Sequence, residues 1–495
     1  MHLDQKFLQK KLDKALKLIK INKLTEAKTN LKYLIQNDQT KTIGLLYSGI
    51  IEIKKKNFNL AKDYFNEILS INLNDEGANL NLGLIYFQEN NYDKSGKYLT
   101  KVLSINPKNI NSNYHLGLIN YKLKNYQSAI NFFNNCIALN KNFAYPHINL
   151  GHIFLETKNF IQAITHYSQA IKLDNFDYRS EFNLGRCFLS LLDFENGFKF
   201  YESRKKFEFE DEFEKIKSKH TCKLWNGENL DNKTILILSE QGIGDIIQFF
   251  RYLFWLNDKY QVKIIFYVEK KLVHLFKNSA FNIISDLKFI EKIDYYQHLL
   301  SLPGIAFSKD QILKNNENYI KVDPENNDKW KIYLKKFKKP IIALNWQGSK
   351  NYIHDSMRSI PLKYFEEIIK DEKYDFISLQ KNIGSEEIYF NYFEKYIHDL
   401  STLIDNDGDA FKDTISILNN IDLLITSDTA IAHLAGTMNI KTFLLLNYNP
   451  EWRWHIEIKK KCFYPHLKII QEDKPNQWFE LIKKTKIEIN KEFFN

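Results

Sequence analysis

A glycine returns every 34 residues through the first half of this chain, at Gly49, Gly83, Gly117, Gly151 and Gly185. Twelve residues after each stands a second small side chain: Ala61, Ser95, Ala129, Ala163 and Gly197. The register extends backwards to Ala15 and Ala27. A period this long and this constant constrains the fold severely, because one unit cannot bury its own apolar face and must stack on neighbours. About six units fit before the period ends. The expectation is an all-α solenoid over residues 1–218, followed by a second half of unlike architecture.

The unit around Gly83 shows how such a repeat packs. Leu82, Gly83 and Tyr86 share one face of a first helix, and Tyr92, Ser95, Tyr98, Leu99 and Val102 belong to a second, with Pro107 just beyond it. Small residues in both columns let two antiparallel helices approach closely, while a later aromatic (Phe65, Phe133, Tyr167, Tyr201) fills the groove between units. The pattern resembles the tetratricopeptide repeat, with a degenerate first unit carrying Ala15 in place of the glycine. That resemblance implies a groove that binds a polypeptide partner. Asn81, Asn113 and Asn149 either offer amides to an extended peptide or serve as ordinary capping and surface residues. The acidic stretch from Glu208 to Lys215 reads as a charged terminal helix, with a docking face as its alternative.

At 495 residues the chain calls for several domains. Its formal charge of +10 rests almost wholly on lysine, scattered among comparable numbers of acids. Such charge reads as solvated surface rather than a phosphate track, so no nucleic-acid partner is expected. Only six arginines occur, and Arg251, Arg358 and Arg453 fall in the densest motifs of the second half, where a fixed donor fork has a use. The four cysteines show no C-x-x-C spacing, which argues against a zinc site or a disulfide framework. The amino terminus is amphipathic without an apolar core, and no window is long and apolar enough for a transmembrane segment. The expected location is the cytoplasm, with contact at the inner face of the membrane left open.

After Trp225 the pattern becomes strand–helix alternation. KTILILSE (233–240) and KIIFYV (263–268) are buried-strand runs, with weaker strands expected near 282–289 and at 319–322. The alternation restarts after Pro340 with IIALNW, DFISLQ, IDLLITS and KTFLLLN, and ends in a long amphipathic helix near 476–488. Two α/β lobes of parallel sheet are expected, at 225–335 and 340–495, the second binding a nucleotide.

Four motifs lie at strand ends. In the first, Gly242 and Gly244 follow a strand and let backbone approach an anion, while Asp245 either caps its helix or takes a proton from a sugar hydroxyl. In the second, Asp428 and Thr429 open a helix whose N–H groups suit phosphate oxygens, and His433 lies one turn on, able to serve the ligand or to satisfy a backbone carbonyl. Trp346, Gly348, Lys350 and Arg358 form a third group suited to anionic oxygens, with surface salt bridging as the plain alternative. Trp452 and Arg453 belong to the fourth, NPEWRWH, where Trp452 either stacks on a ring or packs the lobe. Asp405, Asp407 and Asp409 only superficially resemble a calcium loop, since Ala410 and Ser416 replace the needed glycine and glutamate. No metal site is expected.

The stretches SEQGIGDIIQFFRYL, IALNWQGSKNYIHDSMRSIPL, FISLQKNIG, DLLITSDTAIAHLAG and EWRWH with CFYPHLKIIQ together resemble the ADP-heptose:lipopolysaccharide heptosyltransferases, glycosyltransferase family 9. The layout of repeats before a two-lobed transferase is also similar to the eukaryotic O-linked N-acetylglucosamine transferase. The resemblance implies a GT-B fold and inverting, metal-independent transfer from a nucleotide-diphosphate sugar, with no further cofactor, to a protein or glycan hydroxyl. It implies Asp245 as base, Lys350 as a phosphate ligand, and Asp428, Thr429 and His433 at the diphosphate. The inserted MRS of Arg358 and the paired tryptophans depart from the family's pattern. The alternative is a non-catalytic, protein-binding scaffold with a degenerate transferase-like domain.

Overall fold

The computed structural model describes residues 5–174, 177–208, 222–290, 292–310, 318–350, 355–454 and 463–494. Most of the acidic stretch Glu208–Lys215 thus lies outside the described residues. The chain forms two compact units, Met1–Ser180 and Glu181–Asn495.

Among the described residues, five helix pairs build the first unit: Gln5–Lys20 with Leu24–Ile35, Lys41–Lys54 with Phe58–Ile71, Glu76–Gln88 with Tyr92–Ile105, Ile110–Lys122 with Tyr126–Leu139, and Ala144–Glu156 with Phe160–Leu173. The 34-residue glycine has a steric cause. A Cβ at Gly49, Gly117 or Gly151 would lie 2.5–2.6 Å from the ring of Phe65, Phe133 or Tyr167 on the partner helix, and at Gly83 it would meet Leu99 at 2.7 Å. Each glycine therefore seats the large side chain that stands sixteen residues later. The second small column is equally tight: Ala61, Ala129 and Ala163 are fully buried, and Ser95 donates from Oγ to the Gly83 carbonyl at 2.7 Å. The turns between paired helices repeat as well, with one non-glycine residue in the left-handed region at Asn22, Lys56, Asn90, Lys124 and Lys158. Gly117→Ala is expected to destabilise the first unit by about 1–3 kcal/mol, since Phe133 is fully buried and cannot move aside without disturbing its neighbours. Thermal unfolding followed by helical circular dichroism measures it.

The second unit begins within the sixth helix pair, Tyr178–Ser190 and Phe194–Tyr201, and continues into two sheets. The first has strands β1 (Lys223–Leu224), β2 (Thr234–Leu238), β3 (Lys263–Tyr267), β4 (Asn282–Ile284) and β5 (Tyr295–His298), in the order β1-β5-β2-β3-β4. The second has β6 (Ile341–Asn345), β7 (Asp375–Ser378), β8 (Ile397–Asp399), β9 (Leu423–Ser427), β10 (Thr442–Leu446) and β11 (Leu467–Gln471), in the order β11-β10-β9-β6-β7-β8. Every pairing is parallel. Strands β6, β9 and β10 are buried at every position, which is why they read as unbroken apolar runs.

The strands differ in part from the sequence reading. Residues 319–322 form no strand; Tyr319 and Ile320 are instead buried in the core, and the Tyr319 hydroxyl donates to the Ile247 carbonyl. Strands β1, β5, β8 and β11 stand where the sequence reading placed none, and that of β5, YYQH, carries no aliphatic run to betray it.

In each sheet the strand order reverses once, between β2 and β5 and between β6 and β9. Loops leaving opposite ways at such a point open a crevice at the carboxyl ends, where ligands of open α/β sheets bind. One core joins the facing sides of both lobes with the sixth pair, since Phe198 and Tyr201 cluster with Trp225, Phe249, Leu434 and Trp452. A second core holds Trp346 and the carboxy-terminal helix Trp478–Phe494 against the other face of the second sheet.

Candidate functional site

The first-lobe crevice is shaped by the turn after β2. Gln241 takes the left-handed conformation, φ 59°, and the helix Ile243–Phe249 starts at once. Asp245 reaches back so that Oδ2 accepts from the Gly242 N–H at 3.0 Å, which closes the turn as a helix cap. Its Oδ1 accepts from the Arg453 guanidinium. Gly244 has a packing reason: a Cβ there would lie 2.7 Å from His433 Cδ2. The glycine turn therefore brings the first-lobe helix against the second-lobe helix Ala430–Thr437, which carries His433. A Cβ at Gly242 would meet Asp245 Oδ2 at 3.0 Å.

At the second-lobe reversal, Asn345 ends β6 and Thr426 lies near the end of β9. Asn345 Oδ1 accepts from Thr429 Oγ1 at 2.8 Å and from Thr426 Oγ1 at 3.2 Å, while Asn345 Nδ2 donates to Gln380 Oε1 at 2.9 Å. This buried lattice pins the start of the Ala430–Thr437 helix to both central strands. It also commits the Thr429 hydroxyl proton inside the protein. Arg358 sits over Gly348, where a Cβ would meet its guanidinium at 2.4 Å. From there it donates to the Asp428 carbonyl at 3.1 Å and to Asp355 Oδ1 at 3.1 Å. Lys350 is exposed. Trp346 is fully buried in the core and its indole Nε1 has no hydrogen-bond partner among the described residues.

The segment Trp452-Arg453-Trp454 joins these parts. Trp452 packs edge-on against Phe198 of the sixth helix pair, with ring centroids 5.9 Å apart, and lies close to Phe249. It is buried, at 4 % exposure. Trp454 stacks on His433 at 4.9 Å and donates a hydrogen bond to the Asp428 side chain. Between the tryptophans, Arg453 faces Asp245 and approaches Glu451 at 3.9 Å, and Glu451 accepts from Arg186 of the sixth pair at 3.2 Å.

Electrostatics follow from the burial. The Asp428 carboxyl is pushed up to about 6 by removal from water, with Arg358 pulling the other way and Glu451 adding to the rise. The His433 imidazole is pushed down to about 3 by burial and by the nearby Arg251 and Arg358. His433 is therefore neutral at physiological pH, and its Nδ1 shares a hydrogen with the Tyr464 hydroxyl at 3.1 Å. It offers shape and a hydrogen bond there rather than positive charge.

The structure brings Asp245 to Arg453, Gly244 to His433, Arg358 to Asp428, and Thr429 to Asn345 near the carboxyl ends of the central strands. Residues missed by sequence reading complete the group: Asn345, Gln380, Glu451 and Tyr464. Asn345 carried a legible signal, since it ends an apolar strand that β9 then pairs in parallel; the other three become partners only through long-range packing. Ser427 Oγ and Arg453 Nε are buried without a hydrogen-bond partner among the described residues. Asp405 caps the Lys412–Leu418 helix, accepting from Asp413 N at 2.6 Å, and Asp407 pairs with Lys412 at 2.8 Å. Among the described residues no group of three or more His, Cys, Asp or Glu side chains can hold a metal ion, and no helix is long and apolar enough to cross a membrane.

Comparison with known proteins agrees on the repeats. The tetratricopeptide repeat family matches residues 77–109, 110–143 and 144–177, so the chain carries tetratricopeptide repeats. The protein FlbA of Caulobacter vibrioides is 23 % identical over 249 residues, which is 45 % of this chain and 40 % of that protein. The chain therefore matches well under half the length of this relative. Among solved structures, pilF of Pseudomonas aeruginosa is similar at 14 % identity and a TM-score of 0.38, covering 43 % of this chain and 98 % of its own. MamA is similar at 22 % identity and a TM-score of 0.31, covering 35 % and 97 %.

Proposed function

We propose that this chain is a polypeptide-recruiting repeat protein whose α/β unit holds a nucleotide-diphosphate sugar at the second-lobe strand ends. The observation that carries the first part is the character of the first helices. Glu76–Gln88, Ile110–Lys122 and Ala144–Glu156 bear carboxylate or lysine side chains only at their ends and are otherwise mostly apolar, aromatic or amide-bearing, with Ser112 and the imidazoles of His115, His147 and His152 as the exceptions. A helix of that kind needs cover on every side. One side packs on the paired second helix, yet Leu84, Tyr114, Leu118 and Ile148 remain half-buried. First helices of successive repeats also touch one another directly, and Tyr114 and Leu118 pack in part on the core of Phe133, Leu150 and Ile153. Asn81, Asn113 and Asn149 do not serve it as free amides, since each donates from Nδ2 to the carbonyl four residues back. Recognition rests on apolar and aromatic contact instead. A photo-crosslinking residue at Tyr114 should trap a discrete set of polypeptides in cells. The same residue at Gln162, exposed on a second helix, should not. Equal yields at both positions would remove the reading.

A second reading, metal-independent inverting sugar transfer, is favoured by the packing of Gly244, next to Asp245, against Ala430 and His433 of the second-lobe helix that follows Thr429. In it the acceptor oxygen bonds to the anomeric carbon, the carbon–oxygen bond to the diphosphate breaks, and the bonding pair leaves with the phosphate. Asp245 takes the hydroxyl proton. Arg358, Arg453 and helix N–H groups stabilise the departing charge. Incubating the purified chain with a panel of nucleotide sugars, with and without chelator, tests it. Chelator-resistant transfer supports this chemistry, whereas absence of nucleotide binding by calorimetry leaves the scaffold.

A further inference from the structure

Arg453 sits between two carboxylates, Asp245 and Glu451, while Glu451 is itself held by Arg186 of the sixth helix pair. The guanidinium is mostly enclosed, at 13 % side-chain exposure, and still leaves its Nε without a hydrogen-bond partner among the described residues. A buried guanidinium donor left unmatched is costly unless something else accepts from it. A second unmatched group, Ser427 Oγ, lies one residue before Asp428, the acid that Trp454 engages one residue after Arg453. Two unmatched groups thus flank the same tryptophan–aspartate link, at the carboxyl end of a central strand. The Arg453 Nε–H can only donate and the Ser427 hydroxyl can donate as well as accept, so a single acceptor would satisfy both.

We propose that Arg453 exchanges partners. In the empty site it neutralises Asp245; a bound diphosphate draws the guanidinium onto its oxygens, and the Asp245 carboxylate is released. The inference rests on the reading that the α/β unit takes a nucleoside diphosphate, and it adds an order of events. Asp245 becomes available as a base only after the donor is seated, which guards the site against idle proton transfer. Arg453 acts in this as a diphosphate ligand whose movement also frees Asp245. Glu451 and Arg186 hold the other side of the arginine, so the sixth helix pair helps set where it rests.

The test is a double-mutant cycle read by titration calorimetry with inorganic pyrophosphate, at fixed ionic strength and without divalent metal. Arg453→Gln should weaken pyrophosphate binding about tenfold or more, because a charge-assisted contact is lost. Arg453→Lys, which keeps the charge, should lose less and guards against misreading a folding defect. Asp245→Asn should tighten binding about two- to tenfold, since the competing carboxylate is gone. In the Arg453→Gln background, Asp245→Asn should gain nothing. That non-additivity is the signature, because mere removal of a nearby negative charge would tighten binding equally with or without Arg453. An equal gain in both backgrounds, or no gain in either, overturns the exchange while leaving anion binding intact. If neither the wild-type chain nor Asp245→Asn binds pyrophosphate, ADP or UDP, the nucleotide reading falls and the exchange falls with it.

Discussion

Exchanging Arg204 for alanine is expected to cost the second unit about 3–5 kcal/mol, the usual penalty for stripping one partner from a buried ion pair. Arg204 is fully buried and makes a two-pronged contact with Glu240, Nε to Oε2 at 2.9 Å and Nη2 to Oε1 at 2.8 Å. It also donates to Ser301 Oγ at 2.9 Å, to the Tyr201 carbonyl at 3.1 Å and to Glu202 Oε1 at 2.8 Å. Among the described residues Glu240 otherwise accepts from the Leu300 N–H at 2.8 Å and has the Lys205 charge nearby. Removing the arginine leaves a carboxylate enclosed in protein immediately before the Gly242 turn, so the damage reaches the candidate site. All seven tryptophans lie in the second unit, so denaturant unfolding followed by tryptophan fluorescence reports this unit selectively. Arg204→Met combined with Glu240→Leu should recover most of the loss, because an apolar pair of similar volume avoids burying a lone charge. A shift below about 1 kcal/mol for Arg204→Ala would mean that water reaches Glu240 and that the sixth helix pair is only loosely seated.

The same network shows what the sequence could and could not disclose. The repeats were legible because their cause is local: a glycine and the large side chain sixteen residues later must fit together in every unit, so the spacing cannot drift. The two sheets were legible because strands covered on both faces, such as Ile341–Asn345 and Leu423–Ser427, are apolar throughout. Strand β5 was not, since Tyr295–His298 is buried through aromatic and polar side chains that imitate a loop. The motif residues around Asp245 and Asp428 stood out by type, but their roles depend on partners far away in the chain. Gly244 reads as a phosphate-loop glycine until His433 is found in the space its missing side chain leaves. Asp245 reads as a cap or a base, and its neutralising partner Arg453 lies 208 residues further on. His433 reads as a candidate cation, whereas burial beside Arg251 and Arg358 keeps it neutral. Pairings between motifs are set by tertiary packing, and no local pattern encodes them.

For the transfer reading, Asp245→Asn is expected to lower turnover by about 10²–10⁴, the range a positioned general base contributes. Asparagine keeps an oxygen that can accept from the Gly242 N–H, so the helix cap survives. The melting temperature should change little. Partner exchange by Arg453 adds a constraint on the kinetics: without the carboxylate competing for the guanidinium, the donor should bind as well as before or better. The expected result is therefore a large fall in kcat with KM for the donor unchanged or reduced. A purely structural Asp245 gives the reverse pattern, because a misplaced glycine turn would disturb the packing of Gly244 on His433 and weaken both stability and donor binding. Turnover measured at several donor concentrations, beside a thermal melt of each protein, separates the two. Near-normal kcat with a clear loss of stability would make Asp245 a cap and interlobe tie. The search for the base would then move to His433, whose Nδ1 shares a hydrogen with the Tyr464 hydroxyl.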